Sequence, residues 1–173
     1  AFKAMLEDAD VLIEGFRPGV MARLGLAPTE LRAEFPSLII CSISGFGQDG
    51  PMASEPGHDL TYQACAGTVA MTSVAPTVPG VLSADIGGGA LTACMRICAA
   101  LFERTRTGRG AWIDVSMVEG TLAMMAPAVA AAGVSGKNPI PGAEVLTGGA
   151  PQYRTYQCRD GRFVAFVPLE DKF

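Results

Sequence analysis

Histidine is almost missing from this chain: His58 is the one imidazole in 173 residues. With a single histidine and no Cys-x-x-Cys pair, the usual zinc ligand spacings cannot be assembled, so no metal site is expected. Charge is scarce as well. Only 17% of residues are charged and they sum to -4, which provides no basic surface for nucleic acid or for an anionic membrane. The five cysteines, Cys41, Cys65, Cys94, Cys98 and Cys158, are odd in number and scattered through apolar runs. That pattern excludes a disulfide framework and fits reduced core thiols in a reducing compartment. No signal peptide opens the chain, and Gly, Pro or Arg interrupts every apolar run before roughly 18 residues. A soluble, cytoplasmic protein with a small-molecule partner is expected, with neither membrane nor nucleic acid as partner. The first residue is Ala1 rather than Met, inside an apparent helix, and Phe173 follows directly on an apparent strand. A piece of a longer protein is expected.

Apolar residues are abundant, at 49%, enough for a substantial core. "ADVLIEGF" and "LIICSIS" (Leu38–Ser44) are short apolar runs closed by glycine-containing turns, the pattern of buried parallel strands. Between them "PTELRAEFP" (Pro28–Pro36) has Pro at a first turn, Leu31 and Phe35 one turn apart, and a Pro stop. Strand, helix and strand make a βαβ unit. From Gly87 to Arg106, Leu91, Cys94, Met95, Cys98, Leu101 and Phe102 recur at helical spacing before Gly108. "AWIDVSM" then predicts a strand, and Glu119–Val134 a nearly all-buried helix kinked at Pro127. A Gly/Pro-rich stretch follows, and "YRTYQCRDGRFVAFV" alternates about Asp160-Gly161, which predicts a hairpin with a two-residue turn. The expected organisation is a Rossmann-like α/β large-domain fragment over 1–134, a linker over 135–150, and the start of a smaller α+β domain over 151–173.

Several residues could carry chemistry. A lone histidine is ordinarily structural, but Pro56 and Gly57 form a turn before His58, and Asp59 could begin or cap a helix through Tyr62. An imidazole at a helix N-terminus is favoured in its neutral form, which can accept a proton. Asp85, in "SADIGGG", is either an N-cap for the following helix or a reactive carboxylate. Gly87 and Gly88 exceed what a cap requires, and their amides could hold an anion or a developing oxyanion. Arg17 lies in the loop after the first strand, where open α/β sheets bind ligands, and is either a phosphate clamp or a solvated loop residue. "GFGQDGP" matches neither GxGxxG nor GxxxxGK[ST], so a nucleotide triphosphate or a Rossmann dinucleotide is not supported.

Taken in order, "ADVLIEGFRPGVMARLGL", "LIICSISGFGQDGP", "PGHDLTY", "DIGGG", "RTGRGAWIDVSMVEG" and "GGAPQYRTYQCRDGRFVAF" resemble the CaiB/BaiF family, the family III CoA-transferases. The resemblance implies one of two activities. In α-methylacyl-CoA racemases a histidine in "GHD" and the aspartate matching Asp85 exchange the α-proton of a 2-methylacyl thioester through an enolate. In the CoA-transferases that aspartate is a nucleophile which carries an acyl group and then CoA, and the histidine position is usually Tyr or Phe. His58 therefore favours the racemase, with the transferase as alternative. The resemblance further implies that Glu170 lines the site and supports His58, and that Arg17, Gly57, Asp59, Leu60, Thr61 and Tyr62 contact CoA. CoA would be part of the substrate, with no separate cofactor. The full-length protein would be an interlocked homodimer. Leu60 and Thr61 replace the usual Ile and Asn, and Asp171 and Lys172 the usual Pro and Gln, so a different acyl preference is expected.

Overall fold

A computed structural model describes residues 1–72 and 77–170. Asp171 and Lys172, singled out above, lie outside the described residues. The chain divides into two compact units, one of 1–66 with 81–124 and another of 67–80 with 125–173. The division at Met124 falls ten residues before the expected boundary at 134, and the segment 67–80 joins the second unit.

The first unit is built on three parallel strands in the order β1-β2-β3, with β1 at Val11–Glu14, β2 at Ile39–Ser44 and β3 at Trp112–Ser116. Helix α1 (Phe2–Leu6) precedes β1, α2 (Val20–Arg23) and α3 (Pro28–Glu34) connect β1 to β2, and α4 (Asp59–Ala66) follows β2. Alternation into β2 explains why Leu38–Cys41 is an unbroken apolar run. Leu38 and Ile40 face Leu6, Met21 and Leu31, whereas Ile39 and Cys41 face Ala93, Ile113 and Val115. A strand covered on both faces favours apolar residues at successive positions, and only the small polar Ser42 and Ser44, both buried, interrupt the run. Ile39 and Ile40 are fully buried, and each contributes about 1.5–3 kcal/mol of hydrophobic stabilisation.

The helix expected from Gly87 begins earlier. A π-helical stretch, Ser83–Leu91, runs without interruption into α6, Thr92–Thr107. The result is 25 continuous helical residues whose most apolar window has a mean hydropathy of 1.3, so by length and composition alone it passes for a membrane span. Three glycines do not break it, because glycine lowers helix stability without removing the hydrogen bond that proline removes. Ala93, Ile97, Ala100 and Leu101 set α6 against the sheet. Its end is fixed by Gly108 at φ 69°, whose amide donates to the Arg104 carbonyl. Arg104 ties this end back to the sheet, pairing with Asp10 at 2.7 Å and donating to the Ser37 carbonyl at 3.1 Å.

The helix expected over Glu119–Val134 is two helices, α7 (Met117–Met124) and α8 (Ala126–Ser135). Pro127 is not a kink inside one helix. It sits in the first turn of the second, where a missing amide has no helical partner to lose. Nor is the second helix buried: α8 has no buried residue, and Val134 is 92% exposed. Its composition is that of a core helix, but no described element covers it.

The second unit also contains α5 (Thr68–Thr72) and the antiparallel hairpin of β4 (Arg154–Gln157) and β5 (Phe163–Phe166). Its turn differs from expectation. Cys158 accepts from Gly161 and donates to the Arg162 carbonyl, leaving three residues, Arg159 to Gly161, in the loop. A two-residue type I′ turn needs positive φ at both central positions. Gly161 has φ 82° but Asp160 does not adopt positive φ. The Asp160 carboxylate instead accepts from the Arg162 amide and guanidinium.

The thiols differ from expectation too. Cys41 alone is buried, and Cys65, Cys94, Cys98 and Cys158 are exposed.

Candidate active site

His58 sits at the start of α4, and its local geometry follows from its own segment. The His58 carbonyl accepts the amides of Thr61 at 2.8 Å and Tyr62 at 3.2 Å. The Thr61 hydroxyl accepts the His58 amide in return, at 3.5 Å. The Thr61 hydroxyl thus supplies the returning half of a capping box, which gives Thr61 an architectural task. The backbone is committed while the His58 side chain stays exposed. Leu60 is 41% exposed.

Tyr62 fixes the same helix to the carboxyl end of β2. Its ring is 8% exposed and lies against Gly45 and Gly57, where a Cβ would collide with ring atoms. Phe46 meets it edge-on with centroids 5.4 Å apart. Burial raises the Tyr62 pKa, the Asp85 charge raises it further, and the Arg17 charge opposes both. The phenol therefore lies within electrostatic reach of both Arg17 and Asp85.

Asp85 is half-buried in the first turn of the π-helical stretch. It is not the N-cap, a position held by Leu82, which makes no side-chain cap bond. The cap comes from another helix. The buried Asp59 carboxylate accepts the amides of Ala84 at 2.9 Å and Asp85 at 3.0 Å, and also the side-chain amide of Gln63. Asp59, expected against CoA, is turned inward and spends its hydrogen bonds on the helix that carries Asp85. Asp85 has a raised pKa, first because burial disfavours its charge and second because Asp59 is near. The His58 charge acts the other way. Of the expected site residues, Asp59 and Tyr62 share α4 with His58 at its start, Asp59 is hydrogen-bonded to the Asp85 amide, and the Arg17 charge acts on Tyr62.

Gly87 and Gly88 have a packing reason to be glycine. A Cβ on Gly88 would strike the Met117 carbonyl and the Thr121 hydroxyl of α7, and one on Gly87 would crowd Met124. Their amides lie inside the π-helical stretch, after the Ala84 and Asp85 amides held by Asp59 and the Ile86 amide that donates to the Leu82 carbonyl. Glu170 lies in the second unit and is exposed. A cavity of about 720 Å³ in that unit is lined by none of the expected site residues.

A polar row, buried at Glu14 and Ser42 and half-buried at Asp114, escaped the sequence expectations. Glu14, Ser42 and Asp114 are in register across the three strands. The Glu14 carboxylate accepts the Phe16 amide at 2.8 Å, and Asp114 accepts the Gln48 amide at 2.9 Å. Glu14, Arg17, Gln48 and Trp112 border a cavity of about 230 Å³. The available signal was period two, which places these residues of "VLIE", "IICSIS" and "WIDVS" on one sheet face.

A family model described as CoA-transferase family III matches residues 1–173. The α-methylacyl-CoA racemase of Mus musculus is 42% identical over 99% of this chain and 46% of its own length. The acetyl-CoA:oxalate CoA-transferase of Acetobacter aceti is 46% identical over 80% of this chain and 36% of its own. A crystal structure of a CaiB/BaiF family protein from Brucella suis superposes with a TM-score of 0.82 at 32% identity, covering 96% of this chain and 44% of that one. The chain spans less than half the length of these relatives. On the match along its whole length, the chain belongs to CoA-transferase family III.

Proposed function

We propose that this chain carries the proton-transfer centre of an acyl-CoA racemase acting on 2-methylacyl thioesters. The observation behind the proposal is the link between His58 and Asp85 through Asp59, which follows His58 in the chain and accepts the Asp85 amide at 3.0 Å; the His58 charge favours ionisation of Asp85. Inversion at the carbon next to a thioester requires a base on one face and an acid on the other. One group takes the α-proton, the C–H electron pair moves into an enolate, and the second group delivers a proton to the opposite face. No electrons are gained or lost. A carboxyl with a raised pKa suits such an exchange, because its protonated form is less costly to reach. The enolate oxygen needs hydrogen-bond donors. Gly87 and Gly88 were the expected source, but the first amides of α4, at Asp59 and Leu60, have no carbonyl partner within their helix and adjoin His58. Arg17 would hold a phosphate of CoA.

The test uses the longer protein, with 2-methylacyl-CoA in deuterium oxide. Exchange of the α-proton is expected, and His58→Tyr should lower it by about 10²–10⁴. The second reading, a CoA-transferase, is favoured by the 46% identity to the Acetobacter aceti enzyme. There the Asp85 carboxylate would attack the thioester carbonyl and expel CoA thiolate. Trapping of an acyl group or CoA on Asp85 without solvent exchange would establish that reading, and His58→Tyr would then be tolerated.

The exposed apolar side chains of α6, including Met95 and Phe102, support a homodimer of the longer protein.

A further inference from the structure

We propose that Asp59 is a positioning residue: from the helix that begins at His58 it caps the helix that carries Asp85, and so holds the two proton-transfer groups in one rigid unit. The proposal rests on the proton-transfer reading of His58 and Asp85. Three observations on geometry carry it. Asp59 is 7% exposed although it is charged, and such a carboxylate is seldom buried without a dedicated set of donors. One of its oxygens accepts two consecutive amides, those of Ala84 and Asp85, at 2.9 and 3.0 Å. Its other oxygen accepts from Gln63, whose side-chain amide also donates to the Val81 carbonyl at 3.1 Å. Gln63 thus binds both Asp59 and the chain just before the helix.

Helix N-termini leave their first amides without intrahelical partners. Here the required acceptor is not the local residue at the cap, Leu82, but a side chain more than twenty residues earlier. A local cap would have satisfied the helix equally well. A cap from α4 adds a constraint a local one lacks, because it fixes Asp85 relative to the residue beside His58.

Asp59 has a second effect, through charge. The ionisable groups acting on Asp85 are Asp59, which opposes its ionisation, and His58, which favours it; both come from α4. Tyr62 of the same helix is coupled to Asp85 as well. Of the other elements packed on the π-helical stretch that carries Asp85, α7 offers only the exposed Glu119 and β3 offers Asp114. Arg96 of α6 donates to the Asp114 carbonyl, and Cys41 of β2 lies among the residues facing α6. None of these four is among the causes of the Asp85 shift.

Two substitutions in the longer protein separate the cap from the charge. Asp59→Ala removes both. Backbone amide exchange at Ala84 and Asp85 should rise about tenfold, the usual scale for a lost cap, and α-proton exchange should fall with CoA affinity retained. Asp59→Asn keeps an acceptor oxygen and loses the charge. Amide protection should largely persist, while the carbon-detected titration of Asp85, and with it the acidic limb of the rate profile, should move to lower pH. Unchanged amide protection in Asp59→Ala would overturn the proposal. So would an Asp85 titration unmoved in Asp59→Asn, or a raised KM at unchanged kcat, which would make Asp59 a CoA ligand. Amide exchange and carboxyl titration need no turnover. If the wild-type protein fails to exchange the α-proton, the racemase reading falls while these two measurements still decide the role of Asp59.

Discussion

Gly88 and Gly120 meet backbone to backbone, the carbonyl of the first standing where a Cβ on the second would be. This contact sets how closely α7 can approach the helix that bears Asp85. Small residues at both positions permit it, and the packed interior cannot widen without strain on neighbouring contacts.

Gly120→Ala should therefore destabilise the protein by at least the 1–3 kcal/mol typical of overpacking, since the obstacle is backbone and not a side chain able to rotate away. Gly133→Ala is the control: nothing lies within 4 Å of a Cβ there, and it should be neutral or slightly stabilising through helix propensity. Denaturant midpoints of the two variants check the contrast. Equal midpoints would mean that the helices separate at little cost.

The strand–helix–strand beginning of the chain was legible because its signals are local. Pro28 at a first turn, Leu31 one turn before Phe35, and apolar runs at β1 and β2 each lie within a few residues of one another. The role of Asp59 was not legible. The amides it serves are 25 and 26 residues away, and no periodicity encodes a relation of that length. The glycines of "DIGGG" were noticed for the right reason, that a Cβ would obstruct something. The neighbours that a Cβ would meet at Gly87 and Gly88 belong to α7. At the hairpin the dipeptide Asp160-Gly161 marked the turn correctly, yet its type depended on the φ of Asp160, which the Arg162 contacts to its carboxylate accompany. For α8 the composition indicated burial, and burial depends on what surrounds a helix, which composition does not contain.

Asp85 carries a pH signature whose sign is fixed. Its pKa in the folded chain is raised above the ordinary 3.8, so folding favours the protonated form. Below 3.8 the group is protonated in both folded and unfolded chains and imposes no penalty. As pH rises through the raised folded value, the carboxyl ionises at a partly desolvated place beside Asp59, and stability is lost. Asp85→Asn removes that loss. The variant should be more stable than the parent at neutral pH, with the advantage shrinking as pH falls toward 3.8. Thermal midpoints of both proteins across that range test it, and an advantage that grows toward acid would contradict the shift.

Thiol reactivity should separate the cysteines sharply. Burial, with Glu14 and Asp114 adding to it and Arg96 opposing, pushes the Cys41 pKa up to about 11. At neutral pH the fraction present as thiolate is then about 10⁻⁴, and thiolate is the species that reacts. Cys65, Cys94, Cys98 and Cys158 are exposed, and reagent can reach them without unfolding. Treatment of the 173-residue chain with an aromatic disulfide should therefore release thiol equivalents in a fast phase from these four. Cys41 should follow only when denaturant opens the core between β2 and α6. A mass-mapped label on Cys41 in the fast phase would show that the sheet face covered by Ala93 and Ile113 opens without global unfolding.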